Sequence, residues 1–193
     1  PLTSAQMAKV SQLANVTNVT STLSDRLTSE NTNLESSIEA GTLGNRAQSN
    51  SGVGFEAPPQ DQAAGKQTNG TGSASTTVTR TFTPPVTIAG VSSTTDASIY
   101  GGDSVTFTSG SVFDASSDQN VAVVGKSIAE KNSLSVGSTF TAYDKTITVV
   151  GIYDTGNTFS NNGVIMPLSA LQTISDQAGQ ITSATVTVDS IDN

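Results

Sequence analysis

Residues 121–171 read VAVVGKSIAEKNSLSVGSTFTAYDKTITVVGIYDTGNTFSNNGVIMPLSAL, the densest apolar patterning in a chain otherwise rich in Ser, Thr and Gly. Val121 to Val124 form a continuous apolar run closed by Gly125, the pattern of a strand buried on both faces. Lys126 to Lys131 suits a short helix with Ile128 and Ala129 as its apolar residues. Two alternating runs follow, Ser138 to Ala142 and Thr146 to Tyr153, and their junction at Tyr143-Asp144-Lys145 predicts a hairpin. Beyond a polar loop, Val164-Ile165-Met166 is another buried strand, ended by Pro167, which has no N–H to give a ladder.

Outward from this block the patterning thins. Leu2 to Ala14 predicts a helix capped by Thr3 or Ser4, with Met7, Val10 and Leu13 on one face to pack against a sheet. Strands are expected over Val16 to Ser29 and Asn33 to Thr42, the second from alternation of Leu34, Ser36, Ile38 and Ala40. Residues 44–75 are low in complexity, interrupted by Pro58-Pro59 and with Val53 and Phe55 as their few apolar residues. Such a segment does not repay its ordering entropy and reads as a flexible insertion, with Phe55 as the anchor if it binds a partner. Thr76 to Thr83 alternates as a strand. Pro84-Pro85 then suggest a bend or an edge position before Val86 to Val91. Ile99-Tyr100-Gly101-Gly102 marks a turn, and Val105 to Ser109 is a short strand before a polar loop to Asn120. Leu168 to Ala178 predicts an amphipathic helix. Ile181 to Val188 predicts a last strand alternating on Ala184, Val186 and Val188.

Composition limits the chemistry. The net charge of −8 argues against nucleic acid and anionic membrane surfaces as partners. Only 12% of residues are charged, so solubility rests on hydroxyls and amides, a profile common at cell surfaces. With no Cys there is neither a disulfide framework nor a thiolate, and with no His the usual general base and commonest metal ligand are missing. Aromatic residues make up 5% with no Trp, which leaves little material for stacking sugars or bases. No apolar run approaches the roughly 20 residues of a membrane span. The chain begins with Pro1 rather than Met, and is therefore read as a piece of a larger protein.

The candidate constellations are few. Asp114, Asp118 and Asn120 share one loop, but their spacing lacks the ligand pattern of a calcium hand. A solvated acidic loop is the simpler reading, with Asp96 and Asp103 as possible neighbours in space. Asp144 and Asp154 are the pair available for glycoside hydrolysis, and no aromatic platform accompanies them. Lys126 beside Ser127 lacks a nucleophile motif. Gly125 and Gly151 close apolar strands without a phosphate-loop pattern, so both are read as turn or close-approach glycines. No catalytic, cofactor-binding or metal-binding residue is assigned. Asn15, Asn18 and Asn69 head N-glycosylation sequons, compatible with an exterior location.

The order of VAVVGKSIAEKN, LSVGSTFTAYDKTITVVGIYD and NNGVIMPLSALQ resembles the extracytoplasmic (periplasmic core) domain of MacB/FtsX-like ABC transporter permeases. Its opening, LTSAQMAKVSQLANVTNV, is similar to the family's helix followed by a Val-x-x-Val strand. Asn132-Ser133-Leu134 stands where the family commonly has Leu-Phe-Gly. Many members continue with a further helix and strand past the equivalent of Val188, so this chain stops early or is a shorter member. The resemblance implies a two-lobed α+β domain: a small mixed sheet with two or more short helices, plus an inserted β-rich lobe. Lobe one would take residues 1–43 with 164–193, the flexible insertion 44–75, and the β-rich lobe 76–163. It further implies a non-catalytic binding and mechanical-coupling module in export or cell-envelope signalling, without a cofactor, membrane-anchored on the cell exterior through its parent. Its partners would be the parent's membrane helices and cytoplasmic ATPase, with an extracytoplasmic protein or a second copy possible, and no nucleic acid.

Two other readings stand beside it. A cell-surface stalk or adhesive module predicts an all-β sandwich in which 126–131 and 168–178 are not helical. A secreted hydrolase requires Asp144, Asp154 and a hydroxyl to converge in a pocket. The permease domain predicts that the two ends of the chain lie close together.

Overall fold

The computed structural model describes residues 2–39 and 83–189. Contacts divide the chain into Pro1–Glu39 with Thr83–Asn193 and a second unit, Ala40–Phe82; every described residue belongs to the first. The insertion expected at 44–75, with Phe55, and the strand expected at 76–83, save Thr83, lie outside the described residues.

In chain order the elements are β1 (Leu2–Thr3), α1 (Ser4–Val10), β2 (Val16–Leu27), β3 (Val86–Val91), a 3-10 turn (Ala97–Tyr100) and β4 (Thr106–Gly110). Then follow β5 (Val121–Gly125), α2 (Lys126–Lys131), β6 (Thr139–Ala142), β7 (Lys145–Asp154), β8 (Gly163–Pro167), α3 (Leu168–Ile174), β9 (Gln180–Ile181) and β10 (Ser183–Val188). Among the described residues eight strands make one mixed sheet in the order β10-β2-β3-β8-β5-β7-β4, with β6 on β7; β1 pairs with β9. β3 runs parallel to β8 and β5 parallel to β7, while β5 and β8 are antiparallel. The expected α+β class with a mixed sheet and a few short helices is the observed one.

The block at 121–171 supplies the centre of this sheet. Val123 and Ile165 point to one face, and Ala122, Val124, Val164 and Met166 to the other; all six are at most 3% exposed. Burial on both faces is why these runs are continuously apolar rather than alternating. The larger cluster unites Leu23, Leu27, Ile88, Met166, Ile147 and Val149 under α2 and α3. The smaller one, on the opposite face, gathers Val91, Val123, Tyr153 and Ile165 under Tyr100 and Phe113. The β6–β7 turn has Tyr143 at φ 50° and Asp144 at φ 59°, the paired positive φ values of a type I′ hairpin. A Cβ on Gly125 would collide with the backbone of Asn161, and one on Gly151 would lie 2.5 Å from the carbonyl oxygen of Ser111, so both are close-approach glycines.

Four expectations are corrected. Residues 33–39 form no strand; only Thr32 makes an isolated bridge, to Ala142. Asn side chains take the place of a neighbouring strand there: Asn33 Oδ1 accepts the Thr141 N–H at 2.8 Å, and Asn132 both accepts the Glu35 N–H at 2.7 Å and donates to the Glu35 carbonyl at 2.8 Å. Leu34 and Ile38 are buried, the alternation between them having no sheet to serve. β3 is interior, not at an edge, because Pro84 and Pro85 sit before its first paired residue and cost it no ladder donor. α1 is shorter than the apolar spacing suggested; Thr3 and Gln6 form a capping box, and none of the helix is fully buried. The last strand, expected over 181–188, is split into Gln180–Ile181 and Ser183–Val188 and does not alternate in burial: Val186 and Val188 stay 41% and 46% exposed because no element covers that end of the β2–β10 ribbon among the described residues. β3, β5 and β7 hydrogen-bond into one sheet with β2 and β8, the last spanning Gly163–Pro167.

Candidate functional site: a groove on the uncovered face of the sheet

Strand pairing lays two rows of side chains across β2, β3 and β8 on the face away from the helices. One row is Arg26, Thr87 and Gly163; the next is Ser24, Ala89 and Ile165. Small residues dominate both rows, and they floor a groove of 580 Å³. That is the size of a small-molecule cleft. Its walls are the segment Ile99–Gly101 and residues 159–160 of the β7–β8 loop, where Phe159 is 55% exposed.

The walls are pinned. Asp96 caps the 3-10 turn by accepting the Ser98 N–H at 2.9 Å, and Gly101 ends it in the left-handed region. Ser160 Oγ donates to the Gly101 carbonyl at 2.7 Å, and the Tyr153 hydroxyl donates to the Ser160 carbonyl at 3.0 Å. Tyr153 and Tyr100 meet edge-on, ring centres 5.1 Å apart. Burial, with a smaller contribution from Tyr100, pushes the Tyr153 phenol well above its ordinary value, so it stays a neutral donor.

The loop behind Phe159 is folded around Asp154. Its Oδ1 accepts the Gly156 N–H and the Asn161 amide, each at 2.8 Å, and its Oδ2 meets Lys126 Nζ at 3.1 Å. The Gly156 N–H, then Asn161, then Lys126 hold the carboxyl down at about 2, so it is ionised throughout the physiological range. Asn161 also accepts from the Thr155 N–H and hydroxyl, and its own carbonyl accepts the Ile128 N–H of α2 at 3.2 Å. Asn162 receives the Ser37 N–H at 2.8 Å and the Ser37 hydroxyl at 2.7 Å. Both Asn residues are buried, at 4% and 3% exposure.

Sequence reasoning passed over Asn161 and Asn162; the available signal was two amides placed directly before a fully apolar strand. It also missed Asp25, whose carboxylate lies on the helix side, accepting from the Tyr143 hydroxyl at 2.8 Å and Gln177 at 2.7 Å. Burial first and the Asp25 bond second raise the Tyr143 phenol.

The predicted candidates fall apart in space. Asp144 and Asp154 stand at opposite ends of β7, about 30 Å apart at 3.3 Å per residue, so they do not form a hydrolytic pair. The Lys126 ammonium is stabilised by its hydrogen bond to Asp154 and held protonated, the wrong state for activating Ser127. Asp114 Oδ1 is occupied by the Ser116 hydroxyl and N–H, and among the described residues no three acidic side chains gather as metal ligands. Asn15 and Asn18 are exposed, and Asn69 lies outside the described residues. Residues 126–131 are helical, as is the Leu168–Ile174 part of 168–178, which removes the all-β sandwich. The described ends are joined: Leu2 pairs with Ile181, and the Asp189 N–H donates to the Asn15 carbonyl at 3.0 Å.

A mixed sheet with this strand order, helices on one face and a loop-walled groove on the other defines an α+β domain with no assembled catalytic centre among the described residues. A profile of the MacB-like periplasmic core domain matches residues 4–193, and the chain belongs to that family. Solved structures agree in fold. The periplasmic region of MacB from Actinobacillus actinomycetemcomitans superposes with a TM-score of 0.58 at 13% identity, over 100% of this chain and 67% of that one. The extracellular domain of the ABC-type transporter YknZ from Gram-positive bacteria gives 0.56 at 15% identity, over 99% of this chain and 75% of that one. No curated protein matches by sequence. The chain is thus an extracytoplasmic domain of the MacB/FtsX-like ABC permease kind. No helix among the described residues is long and apolar enough to cross a membrane.

Proposed function

We propose that this domain is a non-catalytic binding and mechanical-coupling module of its permease, working in export or cell-envelope signalling. The observation that carries this reading is the β10–β2 ribbon. Ser183–Val188 pairs with Val16–Thr22, and β2 continues directly into its pairing with β3. A displacement applied to β2 or β10 is therefore delivered to the interior of one hydrogen-bonded sheet rather than absorbed in a loop. Its partners in this reading are the parent's membrane helices and cytoplasmic ATPase, with an extracytoplasmic protein or a second copy meeting the outer surface. The acidic charge of −8 disfavours nucleic acid. The exposed Asn15 and Asn18 fit an exterior, glycan-accepting surface.

The test uses the full permease with its ATPase. The chain has no Cys, so a single cysteine at exposed Ser109 takes one spin label, paired with a second label at the outer end of a membrane helix. The label distance should change between nucleotide-free and ATP-bound states; an unchanged distance in an actively hydrolysing permease sinks the coupling role.

A further inference from the structure

We propose that the groove over Arg26, Thr87 and Gly163 binds a small amphiphile with an anionic head, its head on Arg26 and its apolar body along the floor toward Phe159. This rests on the binding half of the function proposed above and supplies its ligand class.

Charge selects the head. Arg26 lines the groove, and among the described residues its guanidinium makes no hydrogen bond or ion pair. Among the described residues the one acid in the lining, Asp25, turns its carboxylate to the helix side, where Tyr143 and Gln177 hold it. An unpaired cation with no facing carboxylate, in a chain of net charge −8, is a local attraction for an anion.

Shape and saturation select the body. The floor at Ala89 and Gly163 has no large side chain, and at Gly163 a Cβ would come to 3.0 Å from the Tyr153 hydroxyl, so glycine there lets Tyr153 pack close beneath the wall. Ile165, Ile99 and the exposed Phe159 ring provide apolar contact without closing the groove. The floor's backbone is consumed in ladders, β3 being paired on both sides. On the nearby edge of β2 the N–H donors are taken: the Ser24 N–H donates to the Thr182 hydroxyl at 2.9 Å, and the Arg26 N–H to Asp25 Oδ1 at 2.8 Å. A peptide laid here would find neither of these N–H groups free for its own carbonyls, whereas an alkyl body requires none. The hydroxyls of Tyr100 and Tyr153 are themselves committed as donors, to the carbonyls of Thr94 and Ser160. The walls are locked before any ligand arrives, which lowers the ordering cost of binding.

The experiment titrates dodecanoate, dodecyl phosphate and dodecanol, each below its aggregation limit, into the 193-residue chain by calorimetry. Both anions should bind saturably, one per chain, with the alcohol at least about tenfold weaker; the stronger of the two heads separates a carboxylate source from a phosphate one. Arg26→Gln, on the surface and harmless to folding, should erase the preference for anions. Ala89→Leu, which fills the floor, should abolish binding of all three, with circular dichroism confirming the fold. Equal binding of dodecanol and dodecanoate, or unchanged anion binding in Arg26→Gln, overturns the proposal, as does binding of an acidic peptide where no amphiphile binds. Membrane helices and ATPase take no part in this titration. A failure here leaves the coupling role standing, and a motionless permease with intact anion binding would leave the groove standing.

Discussion

On the helix side of β2, β3 and β8 stand Leu23, Ile88 and Met166, each at most 1% exposed; on the other side stand Ser24 and Ala89, one residue along β2 and β3, and Gly163 at the start of β8. The strands and hydrogen bonds are the same on both sides, and only side-chain volume differs. Large residues recruit α3 and close their face, while small ones leave a depression that the 3-10 turn and the β7–β8 loop border without filling. A two-residue period thus separates a face closed by the helices from one where the smaller cluster of Val91, Tyr153 and Ile165 borders an open depression over Ser24, Ala89 and Gly163.

Substitutions on matched positions would break this contrast if it were wrong. Ile88→Ala removes a fully buried side chain beneath α3 and should cost about 2–5 kcal/mol in urea unfolding, whereas Ala89→Ser one position away should stay within about 0.5 kcal/mol. Equal losses would mean that the groove face is as tightly packed as the core.

Asn162→Ala probes the pinned loop next to the groove. It strips the acceptor from the Ser37 N–H and hydroxyl at a buried site and should cost about 1–3 kcal/mol by the same measurement. A neutral result would mean that Ser36 and Ser37 are served equally well by water.

The smallest effect is expected at Asp154, which is half-buried and still reached by solvent. Its carboxyl is pulled from 3.8 down to about 2, first by the Gly156 N–H, then by Asn161 and Lys126. The unfolded chain therefore holds more protons at this site between those values, so the contribution is fully present above 3.8 and is lost as pH falls toward 2. Melting temperature against pH should drop less steeply in Asp154→Asn than in the native chain across that window, and run parallel to it from pH 5 to 7. Identical slopes below pH 4 would show that the carboxylate does not hold the loop.

What the residues disclosed beforehand follows from how local each signal is. Val121–Val124, the hairpin at Tyr143-Asp144-Lys145 and Val164–Met166 were legible because apolar continuity and a short turn are properties of neighbours in the chain. Residues 33–39 were misread because an alternating pattern does not reveal that Asn132 and Asn162, more than 90 residues away, will satisfy that backbone. Pro84-Pro85 suggest a bend or an edge position, and the sequence does not choose between them, because spacing from the first paired residue decides their cost and pairing is tertiary. Nothing about Arg26 in isolation set it apart from any other exposed cation.

The amino-acid sequence alone determined the fold class and the family. It also determined the absence of His and Cys and the order of strand, helix, hairpin and Pro-terminated strand, because composition and short-range periodicity survive without coordinates. Only the tertiary structure decided that Asp144 and Asp154 stand apart, that Asp154 gathers Lys126, Gly156 and Asn161, and that Arg26, Thr87 and Gly163 share one row across three strands. Those relations join residues distant in the chain, and strand register, which brings them together, is set by packing of the whole sheet rather than by any segment of it.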